Sequence, residues 1–209
     1  MTLNISTEIF ETIVSAISII MGSLIGAFFS WIISKKTTLK NIEEQYKILE
    51  RNMIYEEKCK RNEICKQANI IRLDICTALF QSIRAIKEYN LNEEKNIYPI
   101  PINKSYASSI ATLSNYYSLQ DISYIYQLYS FIEKMNSHLM YKNLFKEEYN
   151  EKELFNLYKQ LIEKVYGEHS NEILKLRVDN ISYEDLYKNN YIKEGYKKVL
   201  EELEELCVK

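Results

Sequence analysis

The sequence predicts an all-α fold, in which an N-terminal transmembrane helix continues into a long helix that packs in a cytosolic antiparallel helical bundle. Three observations lead there. Helix breakers are scarce, with two prolines and four glycines in 209 residues, which argues against a turn-rich β fold. Residues 12–34 form an apolar run without a single charge. Beyond it, apolar residues recur at three- and four-residue steps almost to the C-terminus, the spacing of one helix face. The order predicted is a short extracytoplasmic N-terminus at 1–11, the transmembrane helix at 12–34, a juxtamembrane coiled-coil-like stalk at 35–63 and the bundle at 64–209.

The run Thr12–Ser34 makes about 34 Å of helix, enough to cross a hydrocarbon core. A cleaved signal peptide needs a basic N-terminal flank and a small-residue cleavage site. Here the flank carries Glu8 and Glu11, and the run ends Ile-Ile-Ser-Lys-Lys. Trp31, Lys35, Lys36 and Lys40 at the C-terminal end suit a membrane interface. By the positive-inside rule the lysines place the C-terminal side in the cytoplasm and the N-terminus outside. The expected location is therefore a bacterial cell membrane, crossed once.

Within the run, Ser18, Gly22, Gly26, Ser30 and Ser34 stand four apart and form a ridge of small residues. Lipid offers no hydrophobic drive for helices to associate, so close backbone approach has to supply it, and this ridge is the expected association face. Just past the lysines, Leu39, Ile42, Tyr46, Leu49 and Met53 alternate three and four apart as a coiled-coil seam. The series is interrupted by the polar Glu57 and Lys60 and resumes at Ile64, Ala68, Ile71, Ile75, Ala78, Ser82 and Ile86. The eleven-residue step from Met53 to Ile64 is either a stutter or the place where stalk becomes domain. No Gly or Pro interrupts residues 37–90, so the simplest expectation is one helix reaching roughly 80 Å beyond the bilayer. Residues 35–66 hold nine Lys and Arg against six Glu. That excess suits anionic lipid near the leaflet, although most of these charges have the spacing of an ordinary solvated helix face.

Pro99 and Pro101 mark the connection at 91–105, with Ile100 pushed towards extended backbone between them. Tyr106, Ile110 and Leu113 predict a short helix. Ile122, Ile125, Tyr129, Ile132, Met135 and Leu139 predict a longer one, N-capped at Ser118 with Asp121 in its first turn. Leu154, Leu157, Leu161 and Val165 predict a third, starting near Asn150 and stopped by Gly167. Residues 171–189 are ambiguous, because ILKLRV also alternates like a strand. Ile192, Tyr196, Val199, Leu203 and Leu206 predict a final helix. The stripes are narrow, and an antiparallel bundle lets them cover one another.

The stretch SYASSIATLSNYYSLQDISYIYQLYSFIEKMNSHL sets Tyr106, Ile110 and Leu113 before a polar break and then I-x-x-I-Y-x-L-Y from Ile122 to Tyr129. Following a membrane helix and a charged long helix, it resembles uncharacterised bacterial single-pass membrane-anchored helical proteins with a coiled-coil-like stalk and a small cytosolic helical domain. The resemblance implies that architecture and a bacterial or phage origin, and carries no catalytic residues. Some proteins of this layout accompany phage-defence systems.

Motifs for chemistry are missing. His138 and His169 have no ligand partner at i+3 or i+4, and there is no C-x-x-C, H-x-x-x-H or E-x-x-H, so no metal is expected. The arginine that helical ribonucleases place four to six residues before a histidine is absent. No paired glycines outside the membrane run form a phosphate loop, so no cofactor is expected. Glu201, Glu202, Glu204 and Glu205 read as a solvated flank of the last helix. The 18 tyrosines read as base composition from an AT-rich genome, filling the core with hydroxyls at its edge. Cys59, Cys65, Cys76 and Cys207 show no disulfide spacing and read as reduced. A formal charge of −2 offers no field for nucleic acid. Two function classes remain: a membrane-tethered, non-enzymatic interaction or scaffold protein, and a membrane effector of phage defence or abortive infection acting through transmembrane helix assembly. The expected partners are membrane lipid, further copies of the chain through the transmembrane helix and stalk, and a cytosolic protein.

Overall fold

A computed structural model describes residues 7–90, 99–145, 151–177 and 180–208. It is all-helical, 85% helix with no strand among the described residues. Among the described residues six α-helices follow one another: α1 Thr7–Asn90, α2 Tyr106–Leu113, α3 Leu119–Phe145, α4 Glu151–Tyr166, α5 Ser170–Lys175 and α6 Glu194–Val208, with a 3₁₀ turn Gly167–His169 between α4 and α5. The chain divides into two compact units, Met1–Lys58 and Cys59–Lys209. Among the described residues the first unit is α1 alone, with every residue from Thr7 onward exposed.

The second unit is a helical bundle with one core. From α1 it buries Ala68, Ile71, Ile75, Ala78, Ser82 and Ile86 of the predicted stripe, together with Leu79 and Ile83 beside it, while Ile64 is only partly buried. Facing these are Ile110 and Leu113 of α2, Ile122 to Leu139 of α3, Leu154 to Val165 of α4 and Val199 to Leu203 of α6. Each stripe is buried because a helix presents one face every 3.6 residues, and several such faces close on a shared interior.

Turns and caps follow local chemistry. Ser118 and Asp121 exchange bonds at the start of α3: the Asp121 N–H donates to Ser118 Oγ (3.2 Å) and the Ser118 N–H to Asp121 Oδ2 (3.2 Å). That is the reciprocal arrangement of a capping box, with Asp in the role usually taken by Glu. The first part of the 91–105 connection lies outside the described residues. Its second part is clamped by Asn136, which accepts from the Ile100 N–H (2.7 Å) and donates to the Ile100 carbonyl (2.9 Å). Ile100 thereby buries its side chain between two exposed prolines. Of ILKLRV, Ile173 to Lys175 end α5 and Leu176 turns extended at ψ 143°, while Val178 lies outside the described residues. Residues 180–193 hold no regular helix, yet are pinned where the Tyr166 hydroxyl donates to the Leu186 carbonyl (2.8 Å).

Gly167 ends α4 with φ at 58°, a left-handed conformation that costs an L-residue about 1–2 kcal/mol. A Cβ there meets only the far end of the Lys193 side chain, at 2.7 Å, which moves away cheaply. Gly167→Ala is therefore expected to destabilise the bundle by about 1 kcal/mol, read as a lower urea midpoint at unchanged slope.

Candidate functional site

The residues singled out for membrane contact and association all lie on the exposed first half of α1. Ser18, Gly22, Gly26, Ser30 and Ser34 are exposed along one ridge, and a Cβ built on Gly22 or Gly26 meets nothing within 4 Å. The Ser18 hydroxyl donates to its own helix at the Val14 carbonyl (2.8 Å), so its proton is already engaged there. Around this face stand large apolar side chains at more than half their full exposure, among them Ile19, Leu24, Phe28, Phe29 and Ile33.

At the C-terminal end of the run the Lys35 ammonium lies 5.3 Å from the centre of the Trp31 ring. Helical side chains lean towards the N-terminus, so a lysine four residues on is carried back over the indole face. Phe28 stands beside Trp31, ring centres 6.4 Å apart. Trp31, Lys35, Lys36 and Lys40 are all exposed, and together form an aromatic and cationic collar of the kind that sits at a headgroup boundary. Past it the seam Leu39, Ile42, Tyr46, Leu49 and Met53 is also exposed, from 43% at Ile42 to 69% at Tyr46. Beside it Lys47 pairs with Glu43 at 2.6 Å, and that hydrogen bond holds the Glu43 carboxyl below its ordinary range.

In the bundle several titratable groups are engaged in internal hydrogen bonds. Asp74, buried in the middle of the α1 core stripe, accepts from the Tyr129 hydroxyl (2.8 Å) and the Asn103 N–H (3.0 Å). Burial pushes its carboxyl above the usual range, against the pull of those two donors. The Tyr106 ring stacks on Tyr129 at 4.0 Å, and the Tyr106 hydroxyl donates to Glu133 (2.7 Å). Asp121 is desolvated, but its bonds from Ser118 and Lys198 outweigh this and hold it below its ordinary range.

Glu204 departs from the expected solvated flank. It is half-buried, and accepts from Lys188 Nζ (2.7 Å) and the Tyr187 hydroxyl (2.9 Å), with Arg72 Nη1 at 3.7 Å. The Lys188 hydrogen bond keeps its carboxyl low despite desolvation. Arg72, Leu73, Cys76, Tyr183 and Tyr187 line a hollow of about 380 Å³ beside this network. Burial holds the Cys76 thiol protonated by raising its pKa to about 12, so it is no nucleophile at neutral pH. Tyr129 and Tyr166 depart from the expected edge placement, since their hydroxyls are bonded inside the core, whereas the Tyr106 hydroxyl reaches its edge at Glu133. His138 Nε2 lies 3.7 Å from Glu153, and the His169 ring is tilted 51° to the Tyr191 ring with centres 5.9 Å apart. No group of three or more His, Cys, Asp or Glu is placed to hold a metal among the described residues.

The cysteines correct the sequence reading. Cys65 of α1 and Cys207 of α6 form a disulfide with Cα atoms 4.7 Å apart, and Cys59 and Cys76 are free. Spacing along one helix excluded local pairs only, and a bond across 142 residues depends on α6 packing beside α1. Asp74 had a signal that periodicity alone passes over, namely a carboxylate on the core face of an apolar stripe.

Comparison of the chain with protein-family models, with curated proteins and with solved structures finds no match.

Proposed function

We propose that this chain is a membrane-tethered, non-enzymatic helical interaction protein of bacterial or phage origin. It crosses the membrane once, with its bundle in the cytoplasm and a cytosolic protein as the bundle's partner. One observation carries the tether. Most large apolar residues of the bundle are buried, with Leu73, Leu119 and Met140 among the exceptions, whereas α1 keeps every residue from Thr7 to Glu63 exposed and holds a segment long and apolar enough to cross a membrane. A continuous apolar surface of that kind in water is a liability, and lipid removes it. The interaction role is supported by the commitment of Asp74, Asp121 and Glu204 to structural bonds, which leaves the bundle's surface for recognition.

Orientation is the point on which two observations pull apart. Lys35, Lys36 and Lys40 favour a cytoplasmic bundle. The Cys65–Cys207 disulfide favours an oxidising compartment, and so the reverse orientation. Reporter fusions at the C-terminus are expected to be active inside the cell. A reporter active only outside overturns the orientation. Carbonate-washed membranes are expected to retain the protein, and its release would overturn the anchor.

The competing function, a membrane effector of phage defence or abortive infection acting through helix assembly, has one observation of its own: the open space around Gly22 and Gly26. Replacing both with Ile blocks close approach while keeping the run hydrophobic. At about 1 kcal/mol per interhelical contact, losing several shifts a weak dimer by one or more decades. A tether is expected to tolerate the change and to keep its partner when residues 12–34 are exchanged for an unrelated single-pass anchor. Loss of protection or toxicity with partner binding intact would establish the effector instead.

A further inference from the structure

We propose that the stalk seam docks a second copy of this chain in parallel, and that in this pair the small-residue ridge faces lipid rather than the partner. The proposal rests on the tether reading, which aligns the two copies. The first step is a matter of phase. Gly26 at the centre of the ridge and Tyr46 at the centre of the seam belong to one uninterrupted helix. At about 100° per residue they stand about 200° apart, on opposite faces. A single parallel pair of straight helices therefore joins through one face or the other.

Solvent chooses between them. The seam leaves Leu39, Leu49 and Met53 more than half exposed on the aqueous side of the lysine collar, where removing apolar surface from water drives association. The ridge lies among lipid tails, where no such drive exists. The flanks of the seam then set the partner and its direction. With Leu39, Tyr46 and Met53 at a and Ile42 and Leu49 at d, the e positions are Glu43, Glu50 and Glu57, and the preceding g positions are Thr38, Gln45 and Asn52. In a parallel pair each g residue meets the following e residue of the other helix, giving Thr38 with Glu43, Gln45 with Glu50 and Asn52 with Glu57. Every glutamate then faces a neutral hydrogen-bonding side chain. An antiparallel pair sets e against e, glutamate on glutamate, a repulsion that Lys47 reduces at Glu43 and that stands in full at Glu50. The seam is thus complementary to itself in the one direction that membrane anchoring permits, and confinement in the bilayer raises the effective concentration of so short a contact.

The test is oxidative crosslinking of the full chain in membranes, in a Cys59→Ser background. Leu49→Cys puts a thiol at a d position in the seam, and Ile48→Cys puts one on the ridge side of the same turn. The expected result is a covalent dimer from Leu49→Cys at least several-fold more abundant than from Ile48→Cys, and unchanged when Gly22 and Gly26 are replaced by Ile. Equal crosslinking at the two positions, no crosslink at Leu49→Cys, or its loss on ridge substitution overturns the proposal. Failure of the tether itself is distinct, because the protein then leaves the carbonate-washed membrane.

Discussion

Replacing Cys207 with serine is expected to destabilise the bundle by about 2–5 kcal/mol under oxidising conditions and to change little under reducing ones. The disulfide joins residues 142 apart, a loop that spans nearly the whole second unit. In the chain-entropy account a cross-link over such a loop removes about 5 kcal/mol worth of disorder from the unfolded chain, with native-state distortion as the usual deduction. The bond ties the last turn of α6 to α1, just before the first buried residue of the α1 stripe, Ala68. Without it, α6 is held by the burial of Tyr196, Val199, Leu200 and Leu203 and by the bonds of Glu204 and Lys198. The reading is the thermal transition of a 37–209 fragment, expected to be soluble and helical by circular dichroism. For a chain of this size the midpoint falls on the order of 10 °C. Reduction of the wild type is expected to reproduce the variant, and Cys65→Ser to match it without adding to it. Alkylation of the unfolded, unreduced chain is expected to label Cys59 and Cys76 alone. Labelling of all four cysteines, or a transition indifferent to reductant, would remove the bond from any account of stability.

What the sequence reveals and what it conceals divide along locality. The stripe from Ala68 to Ile86, the run Ile122 to Leu139 and the stop at Gly167 are legible because a helix repeats every 3.6 residues and its ends use a few residue types. Hidden from that period are contacts between residues far apart: Cys65 with Cys207, Asp74 with Tyr129, Tyr166 with the Leu186 carbonyl. Glu204 sits among four glutamates with the spacing of a solvated flank, and only the approach of Tyr187 and Lys188 from the 180–193 segment shows it as a structural acceptor. That segment has no period to read, because its order comes from bonds to α4 and α6 rather than from its own helix.

Asp74→Ala is expected to cost about 3 kcal/mol at neutral pH, since it leaves two donors without their acceptor in the interior. The Tyr129 hydroxyl is fully buried and donates to Asp74 Oδ2, as does the Asn103 N–H that fixes the end of the proline connection. Hydrogen bonds to a carboxylate are worth about 1.5–3 kcal/mol each. The sum is reduced because burying the charge is itself unfavourable, as the raised Asp74 carboxyl records. Tyr129→Phe removes one donor together with its need for an acceptor and is expected to cost about 1 kcal/mol, and the double variant less than the two singles together. Asp74→Asn separates charge from hydrogen bonding, keeping an acceptor oxygen and carrying no charge. Because the folded-state pKa of Asp74 lies above its unfolded value of 3.8, its favourable contribution is fully present below that value and is lost as pH rises through the folded pKa. The wild type is therefore expected to gain on Asp74→Asn as pH falls through that window and to lose ground as pH rises. Asp121 and Glu204, both held low, act in the opposite sense: their contribution is present above their unfolded values and disappears in acid, and it is shared equally by both proteins. The difference between the two urea profiles thus isolates Asp74. A difference that is flat with pH, or that grows towards neutrality, would show that burial does not govern this carboxyl.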